Sequence, residues 1–384
     1  MDLFAKKFDL DILFVKKYFD AAINAFNNES GKILDLQSLE IFSSYKDKLI
    51  SIRNSSIKDP DNVIYCYLLR QALIERDLDA VKALGTPNSH LNEELYDTLP
   101  LFSLLSLIPD MILNHKKLGI PEVITKATLG MFENQIQESI YVLHKFGISA
   151  YTSWMAKFIY SEIIRIGRLN FEICRFDKPY EVYLYNDDVY ILPNGVNFHQ
   201  NGQILGSVGC ENEKNSFFAD ICKKDGKIIG YLLSNGVCKN EKVILNNPVK
   251  VLSHNDLIVN VHIPFDGPLT EEACDEAFTE AKKIISISYG DFPAFMCVSW
   301  LLDPQLEQIA GQKTNITRFG DRFARFPAKS AGNEVFEYLF MQPSDTPPNK
   351  LNAVSGFAKS IKSHLVDGGH IYGAGGLLLT KGIL

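Results

Sequence analysis

Residues 256–269 read "DLIVNVHIPFDGPL". The segment is apolar and rich in β-branched residues up to His262, Ile263 and Pro264, and then turns at Asp266 and Gly267. Its two-residue alternation predicts a strand over 257–263. Downstream, "LTEEACDEAFTEAKKIISIS" puts Ala273, Ala277, Phe278, Ala281, Ile284 and Ile285 on one helical face. "AFMCVSWLL", residues 294–302, then reads as a buried strand. Strand, helix and strand in this order predict a right-handed, parallel βαβ unit inside a mixed sheet. A histidine closing the first strand has two readings: a satisfied core residue, or a group placed where chemistry happens.

Upstream the texture differs. The first 147 residues follow helical periodicity, as in "LDILFVKKYFDAAINAF" and "NVIYCYLLRQALIERDLDAVKAL". "GIPEVITKATLGMFENQIQESIYVLHKFG" opens with Pro121 at a helix start and closes at Gly147. "YTSWMAKFIYSEIIRIG" reads as one further helix, ending near Gly167. From there to residue 263 come short alternating runs such as "RLNFEICRF", "YEVYLYN" and "KIIGYLL", separated by NDD, NG and DG turns. They predict an antiparallel meander. After residue 302, "DPQLEQIA" and "LNAVSGFAKSIKSHL" read as helices, and "VFEYLFMQ" and "GHIYGAGGLLLT" as strands. The expected fold is α+β: a helical domain over 1–147 and a mixed-sheet domain over 148–384.

The 384 residues suit two domains rather than one core. Apolar residues make up 46% and charged residues 22%, an ordinary globular balance. The net charge of −7 comes from interspersed signs, which argues against nucleic acid and anionic membrane as partners. Seven cysteines are scattered without a CxxC, as free thiols in a reducing compartment would be. "MDLFAKKFDLDILF" lacks the pattern of a signal peptide. The greasiest stretch, "LPLFSLLSLIPDMIL", looks too short and too interrupted to span a bilayer. A cytoplasmic location is expected. His199, His254 and Asp256 have no ligand partners at metal-binding spacing, so no metal is expected.

"GIPEVITKATL", "SWMAKFIYSEIIRIGRLNFEICRF", "VNVHIPFDGPLTEEACDEAF", "FMCVSWLLDPQL" and "TNITRF" together resemble a family of bacterial two-domain acyltransferases, mostly from Firmicutes. These proteins have a helical N-terminal domain and a C-terminal domain like the GNAT (acyl-CoA N-acyltransferase) fold. The resemblance covers most of the chain. It implies a twisted mixed sheet with helices on both faces, whose central parallel strands splay at their C-terminal ends. It also implies acyl-CoA as co-substrate in that gap and a small-molecule or peptide amine as acceptor. The two strands correspond to 257–263 and 294–302. One departure stands out. GNAT enzymes commonly carry a glycine-rich turn there, whose N–H groups hold the pyrophosphate at a helix start. Here "PFDGPLTEEA" offers Pro264 and Pro268, which donate no N–H, and the acids Asp266, Glu271 and Glu272.

The resemblance sets roles for residues that otherwise read as structural. His262 would be the general base, since histidine exchanges protons near neutral pH. Cys297 and Ser299 share one face of their strand and would protonate the departing thiolate; their bland reading is packing. Tyr372, in the "GGHIYGAGG" turn or bulge, is a second proton-donor candidate. Arg318, Arg322, Arg325 and Lys329 recur at helical spacing in "RFGDRFARFPAK" and would replace the missing phosphate loop; otherwise they are a solvated face. Arg165, Arg168 and Glu172 read as ion-pair residues where the two halves join. The competing view of the whole chain is a catalytically inactive, GNAT-like ligand-binding module.

Overall fold

The computed structural model describes every residue except 30, 31, 35, 36, 88–92, 312, 383 and 384. The chain forms two compact units, Met1–Arg165 and Ile166–Leu384. The boundary falls after Arg165 rather than near Gly147. The helix Thr152–Ile159 buries Met155, Ala156 and Phe158 in the core of the first unit. Its Thr152 hydroxyl also donates to the Gly85 carbonyl, so the segment joins the helical side.

The first unit contains, among the described residues, nine α-helices: α1 (Asp2–Phe8), α2 (Ile12–Glu29), α3 (Lys46–Ser56), α4 (Pro60–Ile74), α5 (Leu78–Leu84), α6 (Glu93–Leu105), α7 (Ile108–Lys117), α8 (Glu122–Leu143) and α9 (Thr152–Ile159). Helix α4 is the hub, packing on α2, α5 and α6. Asp59 caps it by accepting from the Asp61 N–H, and Pro60 opens the first turn, where its missing N–H costs nothing. Residues 62–69 are buried all round, as a central helix requires. Among the described residues one stretch, Glu93–Lys117, is long and apolar enough to cross a membrane, longer than the sequence reading allowed. It is two helices, α6 and α7, broken at Ser106 and Leu107, and 67% of its most apolar window is buried inside the protein. Helix α8 ends at His144, in a left-handed conformation, before Gly147 is reached.

The second unit is built on strands. They are β1 (Ile163–Ile166), along which the chain enters it, β2 (Leu169–Arg175), β3 (Tyr180–Tyr185), β4 (Asp188–Pro193), β5 (Val196–His199), β6 (Ser216–Ala219), β7 (Cys222–Lys224), β8 (Lys227–Ser234), β9 (Val237–Asn246), β10 (Val249–Leu252), β11 (Leu257–His262), β12 (Ala294–Ser299), β13 (Ala324–Pro327) and β14 (Ala374–Leu379). Residues 163–166 are thus strand, not helix. Ser161 at φ 59° breaks α9, and the β-branched run after it suits a sheet.

One six-stranded sheet runs β1-β2-β11-β12-β14-β13; a second runs β10-β3-β4-β8-β7 with β9 on β8. Strands β11 and β12 are parallel and joined through α10 (Glu271–Tyr289), the expected βαβ unit. Helix α10 covers one face of the first sheet, where Phe278 meets Phe171 and Phe295 edge-on at 6.0 and 5.1 Å. The other face puts Ile258, Ala294, Met296 and Leu377 against the second sheet in one core. The second sheet thus forms a layer of its own on that face.

Among the described residues, four α-helices follow β12: α11 (Gln305–Ala310), α12 (Asn315–Asp321), α13 (Glu334–Leu339) and α14 (Gly356–Val366). "VFEYLFMQ" proves helical because Val335 and Phe340 pack in a helical cluster with Ile361 and Leu365. "RFGDRFARFPAK" is not one helix: α12 stops at Asp321 and Ala324–Pro327 is β13. Gly375 and Gly376 lie within β14 rather than in a turn. A Cβ at Gly375 would collide with the Phe326 ring, and one at Gly376 with Phe323. These glycines are the seats of two aromatic rings.

Candidate functional site

The site follows from pairing and parity. Val259, Asn260 and Val261 of β11 pair with Phe295, Met296 and Cys297 of β12, and the ladder ends there. His262 stays paired with Asn170 on β2, while Val298 and Ser299 stay paired with β14. The parallel strands therefore part beyond Val261, and His262 stands at the parting.

Antiparallel pairing of β2 with β11 sets Asn170 opposite His262 and Glu172 opposite Asn260. Side chains two apart share a face, so these four polar groups cluster. His262 Nε2 lies 2.7 Å from Glu172 Oε2, and Asn260 Nδ2 donates to the same oxygen at 3.4 Å. The histidine side chain is 29% exposed and the carboxylate 11%. A neutral imidazole that donates Nε2–H to Glu172 keeps its lone pair, and so its basicity, on Nδ1. The carboxylate fixes the tautomer and the orientation of the ring. The amide oxygens of Asn170 and Asn260 are buried without partners. Each such oxygen costs about 1–3 kcal/mol, so stability is given up around His262.

Glu172 is the residue that sequence reasoning missed as a partner of His262. The available signal was an acid inside the alternating run "RLNFEICRF". Only strand register showed that it faces the histidine.

Cys297 and Ser299 lie on the opposite face of the sheet from His262, because Asn260, paired with Met296, has the parity of His262. Cys297 is fully buried, and desolvation pushes its thiol up to about 12. It is a core hydrophobe at neutral pH. The Ser299 hydroxyl accepts from the Leu301 N–H and caps the following turn. Tyr372 precedes β14, and sheet order sets β12 between that strand and β11. Its hydroxyl lies 3.9 Å from the Cys210 thiol, and its N–H donates to buried Asp303 at 2.7 Å. Burial pushes its hydroxyl pKa up. The structure thus groups none of these three residues with His262.

The loop after β11 is held by Arg168. Its guanidinium donates to the carbonyls of Pro268 (3.0 Å), Pro264 (2.8 Å) and Gly267, and to Asp266 at 3.4 Å. A loop whose carbonyls converge on a cation is no cradle for pyrophosphate. At the start of α10, Thr270 caps the Ala273 N–H, and Glu271 and Glu272 occupy the first turn. Arg322 binds Asp275 and the Glu271 carbonyl, and Arg318 lies 3.7 Å from the Glu271 carboxylate. Those two arginines therefore flank the helix start. Arg325, on β13, is committed to Asp321 and the Gly320 carbonyl, and Lys329 lies exposed beyond that strand. The four cations form no single stripe, because the helix that would align them ends at Asp321. Among the described residues no three His, Cys, Asp or Glu side chains gather as metal ligands do.

The family described as the GNAT-like C-terminal domain matches residues 163–378. No curated protein matches the chain. Among solved structures, the chain resembles an acyltransferase in complex with CoA and 10C-teicoplanin. The two are 15% identical with a TM-score of 0.58, over 92% of this chain and 87% of that one. It also resembles an acyltransferase in complex with decanoyl-CoA and teicoplanin, at 16% identity and a TM-score of 0.57 over 84% and 79% of the two chains. A third, an acyltransferase in complex with decanoyl-CoA, is 15% identical with a TM-score of 0.58 over 90% and 86%. At such identities the likeness is one of fold. With more than half of its length matched, from β1 to the body of β14, the chain belongs to the GNAT-like C-terminal domain family.

Proposed function

We propose that the chain is an acyl-CoA-dependent N-acyltransferase of the two-domain bacterial kind that its sequence resembles, acting on an amine of a small molecule or peptide. The observation that carries this reading is His262, held by Glu172 at 2.7 Å where β11 and β12 part. Nδ1 of His262 takes the proton of the amine as its nitrogen bonds to the thioester carbonyl carbon. The carbon–sulfur bond then breaks, CoA leaves as a thiolate, and the proton held by the imidazolium passes through water to make the thiol. Proton transfer of this kind contributes about 10²–10⁴-fold. Similar structures hold CoA and decanoyl-CoA, which supports an acyl-CoA donor. Arg318 and Arg322 are the cations for its phosphates, exchanging Glu271 and Asp275 for them. None of the seven cysteines is in a disulfide, which suits the cytoplasm.

A second reading, a GNAT-like binding module without turnover, is favoured by the acidic loop that Arg168 grips. Thiol release from acetyl-, octanoyl- and decanoyl-CoA with amine acceptors, measured beside thermal stability with each donor, separates the two. A donor at 100 times its Kd adds roughly 2.7 kcal/mol. Stabilisation with amine-dependent thiol release supports the enzyme. Stabilisation without release selects the binding module, and no stabilisation by any donor overturns both.

A further inference from the structure

The helical unit holds a cavity of its own, of about 590 Å³. That is the size of a small-molecule site, about 300–1,000 Å³. Its walls come from the end of α2, the middle of α4, the break between α6 and α7, and α8. Ile41, Leu105, Ile108, Ile112 and Leu129 give it aliphatic lining. Arg70, Glu29 and Lys32 give it charged lining.

Arg70 is the informative group. Both oxygens of Glu29 accept from Nη1 alone, at 2.9 and 3.1 Å. The Nε–H is closed to solvent and has no partner. The Arg70 side chain is 21% exposed, and Nη2 is the corner of the guanidinium left for a carboxylate oxygen to reach. Glu29 thus holds the guanidinium through Nη1 and leaves Nη2 unmatched. Two cations against one carboxylate leave the polar wall with a charge of about +1, which suits a monoanion rather than a phosphate dianion. The aliphatic wall calls for a chain attached to that anion.

We infer that this cavity binds an aliphatic monocarboxylate, its head on Nη2 of Arg70 and its chain along Ile108, Ile112 and Leu129. The site lies within the first unit and is independent of the acyl-transfer reading.

Calorimetric titration of decanoate into the full-chain protein, with decanol as the uncharged control, tests it. Decanoate is expected to bind at least tenfold more tightly than decanol. Arg70→Gln is expected to weaken decanoate at least tenfold and leave decanol unchanged. Ile112→Trp, at the partly exposed wall, fills the cavity and is expected to abolish both; it keeps the test decisive should Arg70→Gln fail to fold. Absent decanoate binding, equal affinity for decanol, or decanoate affinity unchanged in Ile112→Trp would each overturn the inference.

Discussion

Strands β11 and β12 lie side by side and run in the same direction, yet their ends are chemically opposite. At the end of β11, His262 meets a carboxylate and two asparagines. At the end of β12, Cys297 is dry and Ser299 is spent on a cap. The two ends differ by parity. His262 shares the face of Asn260, Glu172 and Asn170, whereas Cys297 shares the face covered by α10. Adjacency in a sheet does not place two side chains in one site; facing the same way does.

The sharpest way to break this contrast is to remove the base. His262→Gln keeps a hydrogen-bonding group and is expected to cut turnover by about 10²–10⁴-fold, with donor affinity unchanged. Steady-state kinetics and calorimetry check it; turnover within threefold of wild type would make His262 structural.

A buried histidine, His115, supplies a control in the helical unit. His115 accepts or donates one hydrogen bond, to Thr125 at 2.9 Å, and its Nε2 has no partner. Desolvation lowers its pKa from 6.5 to about 4. The unfolded chain therefore binds the proton more readily. Its contribution is fully present above pH 6.5 and is lost as pH falls towards 4. The expected loss between pH 7 and pH 4.5 is about 2 kcal/mol, and His115→Leu should flatten it. Denaturant titrations at pH 7 and pH 4.5 measure the difference; equal pH slopes in both proteins would contradict it.

Glu172→Gln tests the partner. A hydrogen bond to a charged group is worth about 1.5–3 kcal/mol, so turnover is expected to fall about 10–100-fold. In the His262→Gln background Glu172→Gln should cost no further turnover, because the carboxylate acts through the imidazole. A further fall in that background would mean that Glu172 only supports the fold.

Arg322→Glu should weaken CoA binding by about tenfold, or 1.4 kcal/mol, in calorimetry. Unchanged affinity would leave Arg322 to its ion pair with Asp275. The smallest effect is expected at Cys297. Cys297→Ala should cost stability through the cavity it leaves, while turnover stays at the wild-type level. A matching loss of turnover would undo the contrast from which the comparison starts.

Much of the architecture was legible because it is periodic. The apolar stripe of 271–289, the β-branched run of 257–262 and the NG and DG turns are local signals, and the βαβ unit follows from their order. His262 was legible for the same reason, as the polar residue at a strand end. The misreadings have local causes too. Residues 163–166 and 324–327 continue helical patterns on paper, but pairing in a sheet stabilises them more than propensity alone can. Glycines 375 and 376 read as a turn until the Phe326 and Phe323 rings are seen upon them.

The sequence by itself thus determined the division into helical and sheet-rich parts, the parallel strand pair and the histidine between them, because each is written in a few neighbouring residues. The tertiary structure alone decided that Glu172, 90 positions away, is the partner of His262, that Cys297 looks the other way, and that Arg168 grips the loop after β11. Those are matters of register and parity between distant strands, and a shift of one residue in pairing would reverse each of them.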